Sequence, residues 1–193
     1  MEWTRERALG IMHEYTASEA LRRHMYAVEI AMRAMAARTG AEEDVWGIVG
    51  LLHDFDYERF PNEGRSPTEE HPSEGVRILI AQGFPEEWGQ AILGHATYTG
   101  VPRTTPMAKA LFGVDELAGF LVACALVRPS RSLQDLGVKS VKKKFKDKAF
   151  ARGVSREDVL QGCEELGVPL DEHVDFMLDA LRPHEGLIGL GPP

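Results

Sequence analysis

The chain predicts an all-α fold. Its apolar residues recur at three-and-four spacing almost throughout, no segment alternates like a strand between hairpin turns, and capping residues punctuate the pattern. At 193 residues it suits one domain with a small helical annex, long enough to bury a real core.

Each element has its own signal. Thr4 can cap a short first helix reaching about Tyr15, with Ala8, Ile11 and Met12 on one side. Ser18 can cap a long second helix through Arg38, stopped by Thr39-Gly40. Leu21, Met25, Val28, Met32 and Met35 form its buried face, and His24 shares that face, so this histidine points inward. Glu42, Glu43 and Asp44 suit the positive end of a third helix, which runs through Val45, Ile48, Val49, Leu51 and Leu52 to His53-Asp54. Tyr57 to Glu70, with Pro61, Asn62, Gly64 and Pro67, reads as a loop. Pro72 fits the first position of a fourth helix closed by Gly83, and Pro85 opens a fifth that reaches Gly94-His95. After a second loop, a sixth helix runs from about Pro106 to Val127 and ends before Pro129. Shorter helices follow at 138–148, 156–166 and 170–181, with Ser155 and Asp158 as a cap and Gly167 as a stop. The expected organisation is a core over residues 1–128, a helical extension packed on it over 129–185, and a flexible Gly- and Pro-rich tail over 186–193.

Composition narrows the functional classes. A formal charge of -8 argues against general nucleic-acid binding, since phosphate backbones attract the opposite sign. One local exception is the run Lys139 to Lys148, with six lysines against one aspartate. Cys124 and Cys163, far apart and outside any Cys-x-x-Cys pair, form neither a disulfide framework nor a zinc-thiolate site. The charged start lacks a signal-peptide stretch, and no apolar run approaches the roughly 18–20 residues that cross a bilayer. A cytoplasmic protein without membrane partners is expected.

The chemistry shows where polar groups occupy positions that the pattern reserves for apolar ones. His24 lies on an inner helix face, His53 and Asp54 follow the run Ile48 to Leu52, and Asp115 sits between Leu111 and Leu117. Burying an unpaired carboxylate costs several kcal/mol, so two of them need partners. A divalent cation is one, because imidazole and carboxylate suit zinc, iron, manganese, nickel and cobalt. His71 and His95 stand at loop–helix junctions between them. Taken singly, each has a bland alternative: a hydrogen-bonded core histidine, a chance His-Asp pair, a capping aspartate. The ordered set on separate helices is harder to dismiss.

That order, His24, His53-Asp54 and Asp115, in the context Gly-Leu-Leu-His-Asp-Phe-Asp-Tyr-Glu, resembles the HD-domain metal-dependent phosphohydrolases, and within them the HDIG subgroup. The resemblance covers about residues 18–128 and implies an HD-type helical bundle in which His24, His53, Asp54 and Asp115 ligate a metal. In two-metal members, two further histidines fall where His71 and His95 stand and the aspartate of the pair bridges the ions, so the resemblance admits one ion or two. The chain departs from the subgroup at Phe55-Asp56, where Ile-Gly is expected. Asp56 there is expected to orient a water or a histidine, or to lie at the surface.

The resemblance implies hydrolysis of a phosphate ester, of a nucleotide or related small molecule, by water whose pKa a metal lowers toward about 7. Asp54 and Asp56 are the candidate catalytic carboxylates, with Glu69 or Glu70 as other proton carriers. Arg103, Lys109 and Lys143 are the candidate phosphate-binding cations. Two rivals stand beside it: an HD-fold di-iron oxygenase, and a non-catalytic nucleotide- or metal-sensing module. The expected partners are a small phosphorylated substrate and a second copy of the chain.

Overall fold

The computed structural model describes residues 2–191 and, among them, is built of helices without strands. They are α1 (Arg5–Tyr15), α2 (Glu19–Thr39), α3 (Glu43–Leu52), α4 (Ser73–Ala81), α5 (Glu86–His95), α6 (Pro106–Leu126), α7 (Val138–Lys146), α8 (Arg156–Leu166) and α9 (Leu170–Leu181), with single 3-10 turns at Thr97–Thr99 and Arg182–His184. The punctuation works as the residue types require. Thr4, Ser18, Thr105 and Ser155 each accept a backbone N–H of the first turn of α1, α2, α6 and α8. Gly40 and Gly167 end α2 and α8 in the left-handed conformation. Pro72 stands one position earlier than expected, as the residue that precedes α4. No helix among the described residues is long and apolar enough to cross a membrane.

The bundle is organised around α2 and α6. α2 packs along α3 and α6, α5 and α8 pack on α6, and α9 closes against α2. The apolar face of α2 is buried at Met25, Val28, Met32 and Met35, as its spacing requires, whereas Leu21 is only partly buried. At Gly50 the backbones of α2 and α3 meet so closely that an added methyl carbon would lie 2.9 Å from the Val28 carbonyl oxygen. That approach sets His24 on α2 beside His53, which follows α3.

One apolar core runs from Ala8 to Leu190 and includes Val159, Val174, Met177, Leu178 and Leu181 of the C-terminal helices. The tail differs from expectation. Ile188 and Leu190 are buried, and the Gly191 N–H donates to the Arg131 carbonyl at 2.8 Å. The two apolar residues outweigh the glycines around them, so residues 186–191 pack rather than hang free. Pro192 and Pro193 lie outside the described residues.

Candidate metal centre

The fold brings six side chains from five parts of the chain to one place. His24 comes from α2, His53 and Asp54 from the turn after α3, His71 from the residue before Pro72, His95 from the end of α5, and Asp115 from the middle of α6. They form two groups of three that could each hold a metal ion: His24, His53 and Asp115, and Asp54, His71 and His95. Asp54 joins them. Its Oδ2 lies 3.6 Å from His24 Nε2 and 3.3 Å from His53 Nε2, while its Oδ1 lies 3.2 Å from His71 Nε2 and 3.5 Å from His95 Nε2. Asp115 Oδ1 is 2.9 Å from His24 Nε2 and 3.4 Å from His53 Nε2.

The far sides of three rings show what the near sides are for. His53 Nδ1 donates to the Gly50 carbonyl at 2.7 Å, His95 Nδ1 to the Ile92 carbonyl at 2.5 Å, and His71 Nδ1 to Asp56 Oδ1 at 2.7 Å. A carbonyl or carboxylate can only accept, so each Nδ1 carries the proton, and in the neutral ring Nε2 presents a lone pair. All three lone pairs point into the cluster. His53 Nε2 is fully buried without a hydrogen-bond partner, a costly arrangement unless a cation accepts that lone pair. Nitrogen and carboxylate donors in this number fit a divalent transition metal.

Electrostatics agree. Burial opposes charging His53, yet the Asp54 and Asp115 carboxylates outweigh it and raise its pKa well above the ordinary value. For His71, burial likewise pulls down, and hydrogen bonds to Asp54 and Asp56 win, raising it to about 9. Burial would push Asp54 and Asp115 up, but the imidazoles hold both well below the usual carboxylate range. The cluster therefore demands positive charge among its nitrogens. Protons can supply it, and so can metal cations seated on the lone pairs.

Asp56 is not where a catalytic carboxylate would be. It is 1% exposed, with one oxygen on His71 Nδ1 and the other accepting the Gly75 N–H at 2.7 Å. A methyl carbon at Gly75 would collide with that carboxylate, so the glycine admits it. Asp56 holds the tautomer and angle of His71 rather than reaching water. Glu70 is also committed elsewhere, accepting the Gly64 and Ser66 N–H groups of its own loop.

The cluster opens into a cavity of about 690 Å³. None of the three cations expected at the phosphate lines it. Arg103 is pinned by Glu165 at 2.8 and 2.6 Å, by the Gly94 carbonyl, and by the Phe112 ring beneath its guanidinium. Lys109 borders a separate depression with Arg103. Lys143 lines a third, beside Cys124 and Arg128, because α7 docks through Val141, Val138 and Phe145 and turns its lysines elsewhere. The Arg or Lys that does line the cavity is Arg65, from the loop before α4. Asn62 and Tyr98 stand with it, Asn62 Nδ2 donating to the Tyr98 hydroxyl at 3.0 Å and that hydroxyl to the His71 carbonyl.

Another wall is acidic. Glu116 follows Asp115 on α6 and accepts the Ser155 N–H at 3.0 Å, and Glu157 and Asp158 of α8 line the cavity beside it. Burial, reinforced by Asp115, raises the Glu116 carboxyl to about 7. Arg65 sits in a polar loop with no periodicity to aim it, and the α8 carboxylates lie more than forty residues past Asp115, where Asp158 reads only as part of a cap, so neither carried a signal for this site.

Comparison with known proteins gives the same answer from a different direction. A family model described as HD domain matches residues 21–119. Neither the curated proteins nor the solved structures compared with the chain gave a match. The match spans more than half the chain and contains all six clustered side chains: the chain belongs to the HD domain family.

Proposed function

We propose that the protein is a metal-dependent phosphohydrolase that cleaves a small phosphate ester using two divalent ions. The observation that supports this best is the division of Asp54, one oxygen toward His24 and His53 and the other toward His71 and His95. A single carboxylate shared in this way suits two ions a short distance apart. When bound, such ions lower the pKa of water and offset charge on a phosphoryl group.

The chain's own residues supply the rest. The Gly50 and Ile92 carbonyls and Asp56 fix three imidazoles before any ligand arrives, so the site needs little rearrangement. Arg65 can meet a phosphate with two parallel hydrogen bonds, and Asn62 can offer an amide N–H beside it. Tyr57 packs edge-on to His71 and screens that side of the cluster. In the reaction, a water oxygen bonds to phosphorus as the bond from phosphorus to the leaving oxygen breaks. One proton of that water ends on the departing alcohol.

Metal analysis of freshly purified protein, followed by a panel of phosphomonoesters and phosphodiesters with manganese, nickel or cobalt, tests this. Two ions per chain and release of phosphate or a phosphomonoester are expected. Ferrous-dependent oxygen consumption without hydrolysis would instead establish an oxygenase, and ligand binding without turnover a sensing module.

A further inference from the structure

The cavity that holds the cluster is electrically lopsided. Arg65, Asn62 and Tyr98 line it from the loop and turn beside His71, whereas Glu116, Glu157 and Asp158 line it from α6 and α8. Among the described residues none of these three carboxylates forms an ion pair, although ion pairs hold other acidic groups, such as Glu165 and Glu29. Glu157 and Asp158 also suit the first turn of α8, where acidic residues meet the positive end of the helix dipole. Glu116 meets the same helix end from α6, through the N–H of the capping residue Ser155, which occupies one of its oxygens.

Two kinds of substrate fit poorly. A nucleoside di- or triphosphate would bring further negative charge against carboxylates, with Arg65 as the one Arg or Lys to answer it. An ester with a purely apolar leaving group would leave the half-buried Glu116 and Asp158 carboxylates without a cationic partner, although Glu157 is exposed. We propose that the cavity takes a phosphate monoester of an amino alcohol, its phosphate at the cluster and Arg65, its ammonium among Glu116, Glu157 and Asp158. An ammonium donates three charge-assisted hydrogen bonds and neutralises the wall. Hydrolysis then releases the amino alcohol and inorganic phosphate, the water proton ending on the alcohol oxygen. The binding half of this inference stands on the cavity alone; the hydrolytic half rests on the phosphohydrolase reading.

The test compares three probes of similar size, phosphoethanolamine, 2-hydroxyethyl phosphate and propyl phosphate, on manganese-loaded full-length protein. Binding is read by calorimetry and turnover by phosphate release. Phosphoethanolamine should bind and turn over about tenfold or more better than either probe with an uncharged tail, the usual scale of a charge-assisted contact. Glu116→Gln and Asp158→Asn, made separately because the first also touches the Ser155 N–H, should each shrink that ratio toward one. Equal handling of all three probes, or no binding of any, overturns the proposal. A binding preference without turnover upholds the ammonium site and defeats the hydrolase reading, so the two failures are distinguishable.

Discussion

Two histidines in this protein are equally buried and chemically opposite. His53, after α3, and His173, in α9, are both 0% exposed; each donates to one backbone carbonyl and leaves its other nitrogen without a hydrogen-bond partner. His173 bonds the Gly113 carbonyl through Nε2 at 2.8 Å and stacks on Phe176, and burial, its largest influence, pushes its pKa down. It is a neutral core residue that ties α9 to α6. His53 has Asp54 and Asp115 at 3.3 and 3.4 Å from its idle nitrogen, and those carboxylates reverse the effect of burial. Burial therefore does not distinguish a ligand from a packing residue. The company of the second nitrogen does.

The comparison can be broken by experiment. Asp54→Ala has the largest expected effect, because it removes the carboxylate shared by both triads. Since losing a mere orienting partner costs about 10–100-fold in metal affinity, loss of this one should exceed 100-fold, with helicity by circular dichroism unchanged. Full metal occupancy in the variant would contradict the site. Asp56→Asn comes next: it weakens the brace on His71, and calorimetric titration should show affinity reduced by about 10–100-fold, one ion suffering more than the other. Equal loss at both would mean that Asp56 braces more than His71.

The smallest effect is in pH dependence and separates the two histidine environments by sign. His71 is raised from its ordinary 6.5 to about 9, so in metal-stripped protein its stabilisation is complete below pH 6.5 and is lost as pH climbs through about 9. His173 is lowered, so its contribution is present above pH 6.5 and fades as pH falls below it. Thermal melts of stripped protein should decline on the alkaline side, and loading with metal should flatten that arm. His173→Gln should flatten only the acid arm, by about 2–4 °C if roughly 1 kcal/mol is involved, and leave metal content alone. Loss of metal in that variant would erase the distinction drawn between the two sites.

The sequence was legible where periodicity and chemistry conflict. His24 stood on an apolar face, His53-Asp54 ended an apolar run, and Asp115 interrupted α6, and these are the residues that meet. The helices and their caps were equally readable, since Thr4, Ser18, Gly40 and Gly167 act locally. What failed was anything that depends on the direction of a side chain in a loop or on a distant partner. Arg103 looked like a phosphate ligand until Glu165, sixty-two positions away, took its guanidinium. No periodicity points to Arg65 in its polar loop, and its left-handed backbone at φ 49° is set by the turn. The sequence leaves Asp56 as a proton carrier, an orienting group or a surface carboxylate, and its bonds to His71 and the Gly75 N–H make it the second.

The acidic wall lies partly beyond the stretch this chain shares with its family, since the match ends at residue 119 and Glu157 and Asp158 belong to α8. A relative that keeps the six converging side chains but carries another C-terminal segment would keep the same candidate metal centre behind a different wall. Exchanging that segment between relatives is then a way to alter the wall while the six converging side chains stay the same.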